Sequence, residues 1–269
     1  MKLTLPLQDQ IAPWNRTLCK FLADSGAFAD VQYAELPMTQ IGRRWRHYHP
    51  FKINDVPFAL DTWDGDSTLT NMYQAGVMTQ VRAIIKVAAG RDDPYHAKLT
   101  EITGVPILPW VMFPDSLFPL EAFQWQDGVK AYQGCLAGST RRGGRRNWHA
   151  AADAKGGWYT SPRLPMADYV ACLADCQWGV ALAGVGNKTR REPEYMSCGM
   201  PLALAYEPYY PFPFIAGEHY YRLYEPADLE LLSHLSAATF AKASAHLWQT
   251  YFKPAAAARL LVSLLAKYL

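Results

Sequence analysis

Residues 184 to 201 read Gly-Val-Gly-Asn-Lys-Thr-Arg-Arg-Glu-Pro-Glu-Tyr-Met-Ser-Cys-Gly-Met-Pro. Those types in that order suit a phosphate and a sugar. Gly184 and Gly186 lack side chains, so backbone N–H groups can approach an anion closely. Lys188, Arg190 and Arg191 carry full positive charge. Glu192 and Glu194 accept hydrogen bonds from hydroxyl groups. A helix starting within this run would add partial positive charge at its first turn. The plainer reading is a solvated helix start, in which an Arg191–Glu194 pair at i, i+3 contributes about 0.3 kcal/mol.

The flanking elements give the motif its setting. The apolar run Trp178 to Ala183 precedes it and Leu202 to Ala205 follows it, so strand, glycine turn, helix and strand succeed one another. The same alternation runs through the chain. Strands are predicted at 3–7, 31–36, 57–61, 83–88, 105–112, 131–138, 157–160, 179–183 and from 202. Helices are predicted at 14–23, 95–102, 145–152, 167–174, 237–251 and 254–269, the last opened favourably by Pro254. Strands separated by helices imply parallel sheets with helices on their faces. Residues 114–128 are rich in Pro, Phe and Trp without a period and read as a linker. The expectation is therefore an α/β protein of two Rossmann-like domains, residues 1–128 and 129–269, facing each other across a cleft. Ligands of open parallel sheets bind at strand ends.

The second half resembles the nucleotide-sugar half of GT-B glycosyltransferases, with an exostosin-like flavour. The residues that carry the resemblance are Tyr169, Leu173 and Cys176, the run Trp178 to Gly184, then Gly186, Thr189, Arg191-x-x-Glu194, Met196, Gly199 and Pro201. Gly138-Ser-Thr-Arg-Arg142 resembles the turn that opens that half. The resemblance implies a nucleoside diphosphate sugar such as a UDP-sugar as donor, bound mainly by the second domain, and no required cofactor. By position, Glu194 would accept from ribose or sugar hydroxyls, and Arg191 would face the diphosphate or brace Glu194. Gly184, Gly186 and Lys188 would wrap the phosphates, while Ser139 and Arg142 would meet them from the neighbouring turn. A departing diphosphate needs its growing charge stabilised, and one such donor is worth on the order of 3 kcal/mol in the transition state.

Asp61-Thr-Trp-Asp-Gly-Asp66 places three carboxylates within six residues at the exit of a strand. In the GT-B reading Asp61 or Asp64 faces the cleft as the general base for an acceptor hydroxyl. The alternatives are a turn, with Asp66 capping a helix from Ser67 to Tyr73, and Asp64-Gly65-Asp66 as a divalent-metal pair. Two basic clusters stand out, Arg43-Arg-Trp-Arg-His-Tyr-His49 and Arg141-Arg-Gly-Gly-Arg-Arg146. The first interleaves cations with Trp45 and Tyr48, a combination that grips phosphate backbones and stacks on bases. Arg43, Arg44, Trp45 and Arg46 are accordingly the acceptor candidates. The acceptor expected is a hydroxymethylated base in double-stranded DNA, with a surface glycan as the competing reading.

Composition narrows the remaining classes. Half of the 269 residues are apolar and the net charge is only +2, ordinary for a globular chain. The start has no signal-peptide pattern and no stretch is apolar enough for a membrane span, so a cytoplasmic protein is expected. The five cysteines, Cys19, Cys135, Cys172, Cys176 and Cys198, are read as reduced thiols. Cys172 and Cys176 are expected on one helix face, and neither has a His or Cys neighbour in sequence that would complete a zinc set.

Overall fold

In the computed structural model the described residues are 1–7, 19–36, 48–62, 66–90, 93–112, 117–136, 144–160, 164–182 and 188–269. They form two compact units. The first comprises Met1–Val111, Tyr209–Pro211 and Lys253–Leu269, and the second Met112–Pro208 and Phe212–Phe252. This division differs from the expected 1–128 and 129–269 in three respects. It falls earlier, and both Tyr209–Pro211 and the last helix belong with the first unit. One buried contact that holds the last helix there is the hydrogen bond from the Trp110 indole Nε1 to the Ala257 carbonyl at 3.2 Å. Among the described residues no helix is long and apolar enough to cross a membrane.

The first unit holds a six-stranded sheet of order β2-β1-β3-β4-β5-β6. Its strands are β1 (Lys2–Pro6), β2 (Asp30–Ala34), β3 (Tyr48–Ile53), β4 (Val56–Asp61), β5 (Ile84–Lys86) and β6 (Ile107–Pro109). All pairings are parallel except those of β3, which runs antiparallel to both β1 and β4. Strand β3 lies in a stretch that the sequence marks only as a basic cluster. It turns into β4 through Asn54 and Asp55, both at positive φ (49° and 65°), the two-residue turn that suits a twisted hairpin. Pro50 is tolerated because β3 meets β1 only near Ile53 and Lys52, so the missing N–H falls where one side is unpaired. Tyr48 and His49 are buried in this strand. They are therefore not available to stack on an acceptor.

Helices α1 (Ser67–Gln74) and α2 (Pro94–Thr103) follow β4 and β5. Their apolar faces pack with Ala59 and Ile84 of the sheet through Leu69, Met72 and Leu99. Helix α2 has complete terminal signals. Asp93 Oδ1 accepts from the Tyr95 and His96 backbone N–H groups, Pro94 opens the helix, and Gly104 closes it in the left-handed region.

The second unit is a wholly parallel five-stranded sheet of order β11-β10-β9-β7-β8. Its strands are β7 (Tyr132–Cys135), β8 (Trp158–Tyr159), β9 (Cys176–Ala181), β10 (Leu202–Leu204) and β11 (Tyr221–Arg222). Counted within the unit this is the order 2-1-3-4-5, a doubly wound Rossmann-like arrangement. The helices are α3 (Arg145–Lys155), α4 (Met166–Ala174), α5 (Arg191–Ser197) and α6 (Ala237–Leu247), while α7 (Pro254–Leu265) completes the first unit.

Helix α5 lies hard against β9. A Cβ added at Gly179 would stand 2.6 Å from the Tyr195 ring. The tyrosine is fully buried, so it has nowhere to go. Gly179→Ala is expected to destabilise the fold by about 1–3 kcal/mol through overpacking. An unchanged urea midpoint would show that the ring moves aside freely.

Candidate functional site

The crossovers of the second unit part company between β7 and β9. From β7 the chain passes through α3 to β8 on one side; from β9 it passes through α5 to β10 on the other. Such a reversal leaves a crevice outside the carboxyl ends of the two strands, where open parallel sheets take their ligands. The segments leaving those ends, 137–143 and 183–187, contain Ser139, Arg142, Gly184 and Gly186, which lie outside the described residues. So do Asp64, Arg43, Arg44, Trp45 and Arg46.

What borders the crevice is defined. Arg145, the first residue of α3, donates through Nη2 to the Leu182 carbonyl at 3.0 Å and ties the start of that helix to the exit of β9. Helix α3 has eleven residues, no side-chain cap and no acidic residue in its first turn, and it begins with Arg145 and Arg146. Its positive end is therefore not neutralised by its own side chains. Lys188 follows β9 and is 1% exposed.

The helix expected to cradle phosphate behaves differently. Helix α5 has only seven residues and carries Glu192 and Glu194 in its first turn. Glu192 Oε1 accepts from the Thr189 backbone N–H at 2.7 Å and from the Tyr206 hydroxyl at the end of β10. Thr189 Oγ1 and Tyr206 are themselves 3.2 Å apart. The start of α5 thus carries its own acidic residues, whereas the first turn of α3 carries none.

Arg191 braces Glu194, one of its two expected roles. Its Nη1 donates to Glu194 Oε2 at 2.7 Å, and its guanidinium lies 4.2 Å from the centre of the Tyr169 ring. The Tyr169 hydroxyl donates to the same oxygen at 3.1 Å. Burial alone disfavours the arginine's charge, but the Glu194 carboxylate together with the neighbouring Tyr169 and Tyr195 more than offsets this and holds its pKa above the ordinary range. Burial pushes the Tyr169 hydroxyl up, and the neighbouring Tyr195 and Glu194 push it further, so it stays a donor. The Glu194 side chain is 1% exposed. Arg191 and Tyr169 both bond it, the geometry of a brace.

In the first unit Asp61 and Lys86 end adjacent parallel strands and stand opposite in register. Lys86 Nζ donates to Asp61 Oδ2 at 2.9 Å, with both side chains at most 1% exposed. Asp61 is thus enclosed and charge-paired, whereas the sequence offered either it or Asp64 as the carboxylate facing a cleft. The array continues outward. Lys86 is 3.9 Å from Asp66 Oδ1, which bonds His96 Nε2 at 2.8 Å, and His96 Nδ1 is 3.7 Å from Asp93. Asp66 occupies the residue before α1 but makes no side-chain cap, because its carboxylate turns to His96 instead. Asp66, Asp93 and His96 offer ligand atoms within 4.8 Å of one another. The Lys86 ammonium beside them already supplies positive charge. Sequence reasoning missed Lys86 and His96; the one available signal was a lysine inside the apolar run Ala83 to Ala88.

No family model and no curated protein matches the sequence. Among solved structures it is similar to TarM, with a TM-score of 0.48 and 12% identity over 74% of this chain and 46% of that one. It is also similar to the GtfA/B complex, with a TM-score of 0.45 and 14% identity over 73% of this chain and 47% of that one. The chain spans about half the length of these structures.

The Asp61–Lys86 pair yields a stability prediction. Asp61→Ala removes the nearest counter-charge of a buried ammonium, and is expected to cost about 3 kcal/mol. Replacing both partners, as Asp61→Leu with Lys86→Met, should recover most of that loss because both desolvation costs vanish. Urea denaturation of the three proteins measures it; a double variant no more stable than Asp61→Ala would contradict the pairing argument.

Proposed function

We propose that the second unit binds a nucleoside diphosphate sugar and that the chain transfers the sugar to a hydroxyl acceptor. The observation that carries this reading is the β7/β9 reversal bordered by cationic groups. The uncapped start of α3 with Arg145 and Arg146 lies on one side, and Lys188 follows β9 on the other. A diphosphate needs such groups when it leaves, because its charge grows as the glycosidic bond breaks. The glycine-bearing segments at both strand exits, with Ser139, Arg142, Gly184 and Gly186, have the composition to let backbone amides approach it. In this reading Arg191, Glu194 and Tyr169 hold α5 rigid behind the ligand, and Glu192 fixes the segment from Lys188 to Thr189.

The acceptor reading rests on Arg43, Arg44, Trp45 and Arg46, whose mixture of cations and an indole suits a nucleic-acid backbone with exposed bases. A hydroxymethylated base in duplex DNA fits that chemistry. If so, retention on duplex DNA falls steeply with added salt, since each neutralised phosphate releases counterions. Retention that is absent or indifferent to salt would remove the DNA acceptor and leave a glycan.

The donor site is tested by thermal shift and calorimetry with uridine and guanosine diphosphates and their sugars. One of them should raise the melting temperature by mass action. Lys188→Ala should weaken its binding by about tenfold or more, the loss of one charge-assisted hydrogen bond. If none binds at millimolar concentration, the proposal fails. Binding without release of the diphosphate in the presence of any acceptor would leave a nucleotide-binding protein rather than a transferase.

A further inference from the structure

Three thiols meet beneath the α5 network. Cys135 ends β7, Cys172 lies on α4, and Cys176 begins β9 instead of sharing the helix with Cys172. All three are buried, and their sulfurs lie within 4.8 Å of one another. The Cys172 and Cys176 sulfurs are 4.0 Å apart. Metal–thiolate bonds of about 2.3 Å in a trigonal plane place sulfurs about 4.0 Å apart. The triangle therefore already has nearly the dimensions that an ion at its centre requires.

We propose that Cys135, Cys172 and Cys176 form a three-thiolate site for a soft d10 cation such as Zn(II), Cd(II) or Cu(I). Sulfur donors select this class over the hard cations that take oxygen ligands. The three positions come from three separate elements, so a bound ion would tie β7, α4 and β9 together. Three S–H bonds give up their protons to solvent as three metal–sulfur bonds form. Cys176 loses the contact in which its sulfur donates to the Cys172 carbonyl at 3.1 Å. With a divalent ion the site carries one net negative charge. Cys172, at 9% exposure, is the member nearest solvent and offers the way in. The inference stands apart from nucleotide binding and uses none of its residues as ligands.

The test is a titration of the reduced full chain with Cd(II) under a phosphine reductant. One equivalent should produce the ultraviolet thiolate-to-cadmium absorption and raise the melting temperature. Cys135→Ser and Cys172→Ser should each weaken binding by more than about tenfold, while Cys19→Ser leaves it unchanged. X-ray absorption at the cadmium edge of the wild-type chain should show three sulfur neighbours, a result that needs no variant to fold. A first shell of oxygen or nitrogen, no charge-transfer band at one equivalent, or variants that bind as tightly as the wild type would each overturn the site.

Discussion

A charge withdrawn from water must take a counter-charge or hydrogen-bond donors with it, and both units are arranged around that constraint. Lys86 and Asp61 terminate neighbouring strands in register and neutralise each other at 2.9 Å. Glu194 is held by Arg191 and Tyr169, and Glu192 by Thr189 and Tyr206. Removing one member of such a set costs several kcal/mol, because the survivor keeps its desolvation penalty without its compensation. The loops leaving those strands therefore start from fixed points. Any ligand chemistry at the second sheet depends on that fixity, since preorganised donors need no reorganisation at the moment of reaction.

The same economy of space governs the backbone. Gly179 lets Tyr195 lie on β9, and Gly134 lets Trp158 of the neighbouring strand approach β7. These glycines sit in strand interiors, where the residue is normally a liability. Here the missing Cβ is what admits an aromatic ring. The two glycines lie on the two strands that flank the reversal, so close packing and the candidate site share one framework.

Much of the architecture was legible in the chain. Apolar runs bounded by turns marked β1, β2, β4 to β6 and β7 to β10, and the stretch from Tyr95 to Ile102 marked α2, while the short β11 went unmarked. Strand β3 was not legible, because its first residues belong to a basic cluster and its turn is Asn-Asp rather than the stronger Asn-Gly signal. The site was legible as composition: Lys188, Arg191 and Glu194 stood out. Their roles were not, because an arginine three residues from a glutamate can pair with it or reach outward. The Tyr169 ring, 22 residues upstream of Arg191, supplies the second surface against which the arginine rests.

By itself, then, the order of residues determined an α/β chain with alternating elements, a glycine-and-cation motif after a buried strand, and acidic residues at a strand exit. Those features follow from local periodicity and from the chemistry of side chains, which neighbours in sequence already display. Tertiary structure decided which charges cancel and which end of which helix stays positive. It decided that Asp61 is enclosed, and that Cys135 joins Cys172 and Cys176 from 37 residues upstream of Cys172. Strand order and register bring such distant residues together, and pairing across a sheet is chosen by the packing of whole faces rather than by any local pattern.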